Sequence, residues 1–183
     1  MPYTYPRFTT VSAVHEEECR RFSLEVLLGT PGEQTWLVIQ KNPSRARKGV
    51  SDHTINRVLN YLYRNRERYE ILRSIGRVVF LNLIPWYETY SRELKHRKQA
   101  LKDTANLEII EGYLKEKHPC LVGWGNPPLG LAAPYGELVE EVVQALGKNT
   151  NPIYRVGSLT RLGHPRHGQI WGYADPLVQY FPG

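Results

Sequence analysis

The sequence predicts an α/β fold of three layers, with helices on both faces of a mainly parallel central sheet and an antiparallel hairpin on its N-terminal side. Three observations carry this. Short apolar runs of strand length alternate with stretches whose apolar residues recur at helical spacing. Those runs are unbroken rather than alternating, as in strands covered on both faces. Finally, 183 residues suit one domain, residues 1–183, because domains usually run to about 100–200 residues.

The first element, residues 22–28, is followed by Gly29-Thr30-Pro31-Gly32 and then residues 35–40, which reads as an antiparallel hairpin. Its second arm, Trp36-Leu37-Val38-Ile39, stops at Lys41-Asn42-Pro43. A polar loop over residues 41–51 leads to Asp52, a helix N-cap, with Ile55, Val58, Leu59 and Leu62 behind it on one helix face. After the polar residues 64–68, Val78-Val79-Phe80-Leu81 is a second buried strand, ending in Asn82-Leu83-Ile84-Pro85. Residues 92–117 are rich in Lys, Glu, Leu and Ala, with Leu94, Leu101, Ile109, Ile110 and Leu114 as apolar points and Gly112 as a weak point; one or two helices fit. Cys120-Leu121-Val122 makes a third strand before Gly123-Trp124-Gly125-Asn126-Pro127-Pro128. Residues 134–146 repeat helically through Leu138, Val139, Val142, Val143 and Leu146 and are closed by Gly147, and residues 153–156 make a fourth strand.

Composition sets the class. Apolar residues are 41%, charged residues 23% and aromatics 11%, so a packed core is expected and disorder is not. Lys plus Arg number 24 against 18 Asp plus Glu, a net +6 that leans toward anionic partners such as nucleic acid or nucleotides. The two cysteines, Cys19 and Cys120, form no CxxC pair, which excludes a cysteine-rich zinc site and a multi-disulfide scaffold. Apolar runs such as residues 36–39 and 78–81 are four residues long, against about 20 for a membrane span, so no membrane is involved. The first 22 residues hold prolines, Glu16, Glu17 and Glu18 and no apolar core, so no secretory signal is expected and a cytoplasmic location is.

Ligands of parallel sheets bind at the carboxyl ends of the strands, where residues 41–51, 82–90, 124–128 and 158–172 fall. The first loop carries Lys41, Arg45, Arg47 and Lys48 without an acid, directly before a helix N-terminus; a phosphate fits there. The alternative is a solvated basic turn with Asp52 as an ordinary cap. The last loop gathers Arg161, His164, Arg166 and His167, suited to phosphate contacts or proton transfer, or else an exposed basic loop. Trp86, Tyr87, Tyr90 and Trp124 offer stacking surfaces for a base, against the alternative of rim packing. No HExxH spacing completes a metal site around the histidines. No GxGxxG, GxxxxGK[ST] or GxSxG motif occurs, so no dinucleotide cofactor, P-loop or serine-hydrolase elbow is expected.

Several pieces in this order resemble the DUF1643 family of bacterial and phage proteins. They are Cys19-Arg20-Arg21-Phe22, residues 37–46 around Asn42-Pro43-Ser44, Asp52-His53-Thr54-Ile55-Asn56-Arg57, Leu81-Asn82-Leu83, Trp124-Gly125, and Gly163-His164-Pro165-Arg166-His167. The chain departs from the family pattern at Gly168, where proline usually follows the histidine, and at Gln40-Lys41, where a Met-Leu pair is commoner. A weaker resemblance is to the layout of the uracil-DNA glycosylase superfamily. It implies that Asn42 positions a hydrolytic water, that Asn82 bonds a base edge, and that His164 or His167 stabilises the leaving anion or touches phosphate. The first-loop glycine of that layout is replaced by Gln40, which stands in the way of a base pocket. Asparagine orients water but does not deprotonate it, and Asp52 is the acid close behind.

The expected catalytic residues are therefore Asn42, Asp52, His164 and His167. Pro43, Ser44, Thr54, Arg57, Asn82, Trp124 and Gly125 would hold the base or ligand, and Lys41, Arg45, Lys48, Arg161 and Arg166 would hold phosphate. The expected function is binding of a nucleic-acid base or nucleotide, with hydrolysis of an N-glycosidic bond as the chemistry the second resemblance implies. The alternatives are a non-catalytic nucleotide or nucleic-acid binding module, and an enzyme acting on a small phosphorylated metabolite.

Overall fold

The computed structural model describes residues 3–44, 46–87 and 101–182. In chain order the elements are β1 (Thr9–Glu17), β2 (Arg20–Leu28), β3 (Gln34–Gln40), α1 (His53–Asn65), β4 (Ile75–Asn82), α2 (Thr104–Leu114), β5 (Cys120–Val122), α3 (Ala132–Asn149), β6 (Ile153–Val156) and β7 (Leu177–Gln179). The strands form one sheet in the order β1-β2-β4-β3-β5-β6-β7. Its centre, β4-β3-β5-β6, is parallel. Its flanks, β1-β2-β4 and β6-β7, are antiparallel. The sheet is thus mixed, with a parallel middle, rather than mainly parallel.

The antiparallel hairpin exists but joins different strands from those expected. β2 pairs with β1 across a turn in which Glu18 takes a left-handed φ of 48°, and on its other side with β4. Residues 29–33 do not close a hairpin with β3. They carry the chain past the start of β4, where Thr30 Oγ1 donates to the Ile75 carbonyl and the Gln34 amide donates to the Ser74 carbonyl. Gly32 permits the crossing, since a Cβ there would sit 2.1 Å from the Ser74 oxygen. The glycines therefore mark a close backbone approach, not a tight turn between neighbours. β3 lands parallel to β4 on the side away from β2.

The unbroken apolar runs are explained by cover on both faces. Trp36 and Val38 of β3, Val78 and Phe80 of β4 and Leu121 of β5 face Ile55, Val58, Leu59 and Leu62 of α1. Leu37, Ile39, Val79, Leu81, Cys120 and Val122 face Leu107, Ile110 and Leu114 of α2 and Leu138, Val142 and Leu146 of α3. Each such aliphatic side chain contributes about 1.5–3 kcal/mol by leaving water. The three layers follow from period-2 alternation meeting two helix faces.

α1 begins where the sequence places it, with Asp52 Oδ1 accepting from the Ile55 amide at 2.9 Å. α2 starts at Thr104, capped by Asp103, and runs through Gly112; Leu94 of the expected helical stretch lies outside the described residues. α3 passes Gly147 and ends at Thr150, which takes the left-handed conformation itself (φ 59°) and donates to the Gly147 carbonyl. β1 and β7, which the sequence reading does not include, border the sheet with polar or half-exposed side chains.

Candidate functional site

β3, β4, β5 and β6 end at one edge of the sheet, and backbone bonds tie their loops together there. Leu83 donates to the Gln40 carbonyl (2.9 Å), Gly123 to the Ile39 carbonyl (2.9 Å) and Gly125 to the Pro165 carbonyl (2.9 Å). Against these loops and the start of α1 lies a pocket of about 760 Å³, a volume that suits a small-molecule ligand.

Lys41, Asn42, Pro43, Ser44, Asp52, Thr54, Asn82 and His167 of the expected site residues all line it. Asp52 spends one oxygen on the Ile55 amide and the other on the Ala46 amide (3.1 Å), so it holds both α1 and the preceding loop. Asn82 is buried; its Nδ2 lies 3.5 Å from the Arg21 carbonyl, and its own carbonyl accepts from Asn106 Nδ2 at 2.9 Å. Burial lowers the Lys41 pKa, and the ammonium sits 5.9 Å from the centre of the Tyr135 ring.

His167 is the best-defined of the expected catalytic groups. Burial first, and the Lys41 charge second, push its pKa down to about 4, so the ring is neutral at pH 7. Nδ1 accepts from the Gln169 amide at 3.2 Å. In a neutral imidazole that places the proton on Nε2, making His167 a hydrogen-bond donor rather than a base. Gly125, at φ 68°, fits its loop against this residue: a Cβ would lie 3.0 Å from the His167 Cβ. Its expected role as a ligand contact becomes one of seating His167.

The remaining expected residues lie elsewhere. Trp124 is fully buried and offers no stacking surface; its carbonyl accepts from the Tyr135 hydroxyl at 3.1 Å. It lies two residues beyond β5 and packs in the core cluster with Tyr135 and Leu138 of α3. Arg57 stacks over Tyr173 at 4.7 Å, beside Arg64 at 4.2 Å, on α1 outside the pocket lining. Lys48 is exposed at the tip of a turn closed by Arg47 and Val50. Arg161 is exposed, and Arg166 lies 3.7 Å from Asp175. His164 contacts the Tyr135 ring edge-on at 6.0 Å, with its pKa lowered by burial and by Lys41. Trp86 and Tyr87 lie under Arg20 and Arg47, and Arg45 and Tyr90 are outside the described residues.

The residues missed by sequence reasoning are Arg21, Gln40 and His53, with Tyr3 at the mouth. Arg21 is 1% exposed, and burial works against its charge. Its Nη1 donates to the Ala46 carbonyl at 2.8 Å. Gln40 reaches into the last loop, where Oε1 accepts from the Gly168 amide at 3.3 Å. A proline at 168 would have no N–H to give to this bond. Among the described residues, the buried Arg21 Nε, Gln40 Nε2, Ser44 Oγ, His53 Nδ1 and Asn82 Oδ1 have no hydrogen-bond partner, and all five belong to pocket-lining residues. Buried polar atoms are nearly always paired, so such a concentration at one pocket points to a bound ligand or ordered water there. No group of three or more His, Cys, Asp or Glu among the described residues is placed to hold a metal ion.

No helix among the described residues is long and apolar enough to cross a membrane. No curated protein and no solved structure matches the chain. A likeness to the uracil-DNA glycosylases is thus not shown, whereas a family model described as "Protein of unknown function (DUF1643)" matches residues 21–168. That span takes in Arg21, Gln40, Asn42, Asp52, Asn82 and His167, and the chain belongs to the DUF1643 family.

Proposed function

We propose that the pocket binds a nucleobase or nucleotide, and that its reaction is hydrolysis of an N-glycosidic bond. The observation that carries the reading is that five of the eight buried side-chain polar atoms without a hydrogen-bond partner among the described residues belong to residues lining this pocket. Arg21 Nε and Gln40 Nε2 donate, Asn82 Oδ1 accepts, and Ser44 Oγ and His53 Nδ1 serve in either sense. A nucleotide suits such a set, its base edge having both donors and acceptors and its phosphate oxygens accepting from Arg21 Nε and Ser44 Oγ. Asn42 at the head of the first loop is suited to orienting a water, and a neutral His167 with its proton on Nε2 is suited to donating to a departing base anion.

The test is release of free base from oligonucleotides, nucleosides and nucleotides carrying normal and altered bases, comparing wild type with Asn42→Ala. Release by wild type, with a loss of about 100-fold or more in the variant and binding retained, supports the reading. An equal rate in the variant removes Asn42 from the mechanism. The second reading, binding without turnover, is favoured by Asp52, whose two oxygens are both engaged by backbone amides and which is therefore poorly placed to take a proton from water. Saturable binding without free base under any condition selects it.

A further inference from the structure

We infer that the floor of this pocket is an anion seat formed by Arg21 and the first turn of α1, and that its ligand is a terminal phosphate monoester attached to a flat ring, entering phosphate first. This rests on the reading of the pocket as a nucleotide site and adds which end of the ligand goes in. The first support is that Arg21 and the start of α1 are locked to each other. The Arg21 guanidinium holds the Ala46 carbonyl while Asp52, the N-cap of α1, holds the amide of the same residue. A fixed cation and the start of α1, where Asp52 Oδ1 takes the Ile55 amide and His53 and Thr54 line the pocket, therefore share one wall.

The second support is independent of the helix. Arg21 is 1% exposed, and its Nε has no partner among the described residues. A guanidinium loses much hydration on burial; among the described residues Arg21 keeps one bond to a backbone carbonyl, with Asp52 and Glu16 near enough to favour its charge, and an anion accepting from Nε would add the missing partner. Ser44 Oγ, also buried and unpartnered among the described residues, lines the same pocket. The third support is the mouth. Tyr3, Val50 and Ile170 line the pocket yet remain 51%, 41% and 58% exposed. An apolar lip over a cationic floor matches a ligand with a charged end and a flat apolar end.

The geometry also selects among phosphates. A phosphodiester within a strand continues in two directions and must pass both through the pocket to reach Arg21, which is 1% exposed, whereas a terminal monoester needs only one. The seat is therefore built for a free nucleotide or a 5′-phosphorylated end.

The experiment is calorimetric titration of the wild-type chain with the four ribonucleoside 5′-monophosphates, the matching nucleosides and inorganic phosphate. A parallel titration uses one short oligonucleotide with either a 5′-phosphate or a 5′-hydroxyl. The expected result is that at least one monophosphate binds about 10-fold or more tightly than its nucleoside, the return for one buried charge-assisted contact. Arg21→Gln should abolish that difference. Should Arg21→Gln not fold, competition of inorganic phosphate with the monophosphate on wild type reads the same seat. Equal binding of nucleoside and monophosphate overturns the seat and leaves the base pocket standing. Binding of the oligonucleotide irrespective of its 5′ group overturns the phosphate-first orientation. No binding of any nucleoside, nucleotide or oligonucleotide overturns the nucleotide reading, and the seat with it.

Discussion

Two adjacent arginines end up in opposite environments. Arg20 reaches Asp103 and Glu17 at the surface, whereas Arg21 faces inward and is sealed off. The two point to opposite faces of β2, and Arg20 lies at the strand's end, where Asp103 and Glu17 are within reach, while Arg21 lies where both faces are already covered. Which of the pair points in was not legible, because a polar pair at a strand start reads as solvated. Replacing Arg21 by methionine removes a buried charge but strands the Ala46 carbonyl, so stability in urea should fall by about 1–3 kcal/mol as ligand binding is lost. A stability loss of several kcal/mol would mean that the guanidinium is structural. His167 makes a second test. Its folded pKa of about 4 lies below the unfolded value near 6.5, so its contribution is fully present above pH 6.5 and is lost as the pH falls toward 4. Histidine NMR should return the low value directly, and His167→Gln should flatten the stability curve between pH 6.5 and about 4.

The elements divide into those specified by local chemistry and those specified by tertiary crossing. α1 was readable because Asp52 and the residues behind it carry both cap and face within one stretch of chain. Asp52→Ala removes acceptors from two amides and should cost about 1–2 kcal/mol or more, with Asp52→Asn costing less because it keeps one side-chain carbonyl for the Ile55 amide. Equal losses in the two variants would assign the effect to charge instead of the cap. The partner of β2 was not readable, since Gly29-Thr30-Pro31-Gly32 is compatible with a turn or a crossing and only Ser74, far along the chain, decides. Gly32→Ala should therefore destabilise by about 1–3 kcal/mol, because its new methyl meets backbone. Gly49→Ala, in open space, is the control.

At the level of the molecule, the loops the sequence singles out lie at the sheet edge where the pocket is found, and of the expected phosphate-binding residues Lys41 lines that pocket while Lys48, Arg161 and Arg166 do not. Strand-end loops are legible because α/β connectivity fixes which ends converge. Side-chain direction within a loop is not, and Lys48, Arg161 and Arg166 are not among the residues lining the pocket that holds Lys41. Their spread suits a weak, diffuse field. The double variant Lys48→Gln/Arg166→Gln should leave mononucleotide affinity within about 2-fold and reduce the salt slope of any oligonucleotide binding by about 2. A large drop in mononucleotide affinity would bring those cations back into the site.

The pocket draws its walls from Tyr3, from β2, β3 and β4, from the start of α1 and from Ile170. These positions span nearly the whole sequence, so no fragment of the chain and no partly folded form contains the recess. Occupancy is then linked to the global folding equilibrium and not to a local opening. Any true ligand should raise the midpoint of cooperative unfolding, by the equivalent of about 2.7 kcal/mol at a free concentration 100 times its dissociation constant. Thermal melting across a panel of metabolites thus detects the ligand by its binding alone, whether or not any turnover follows.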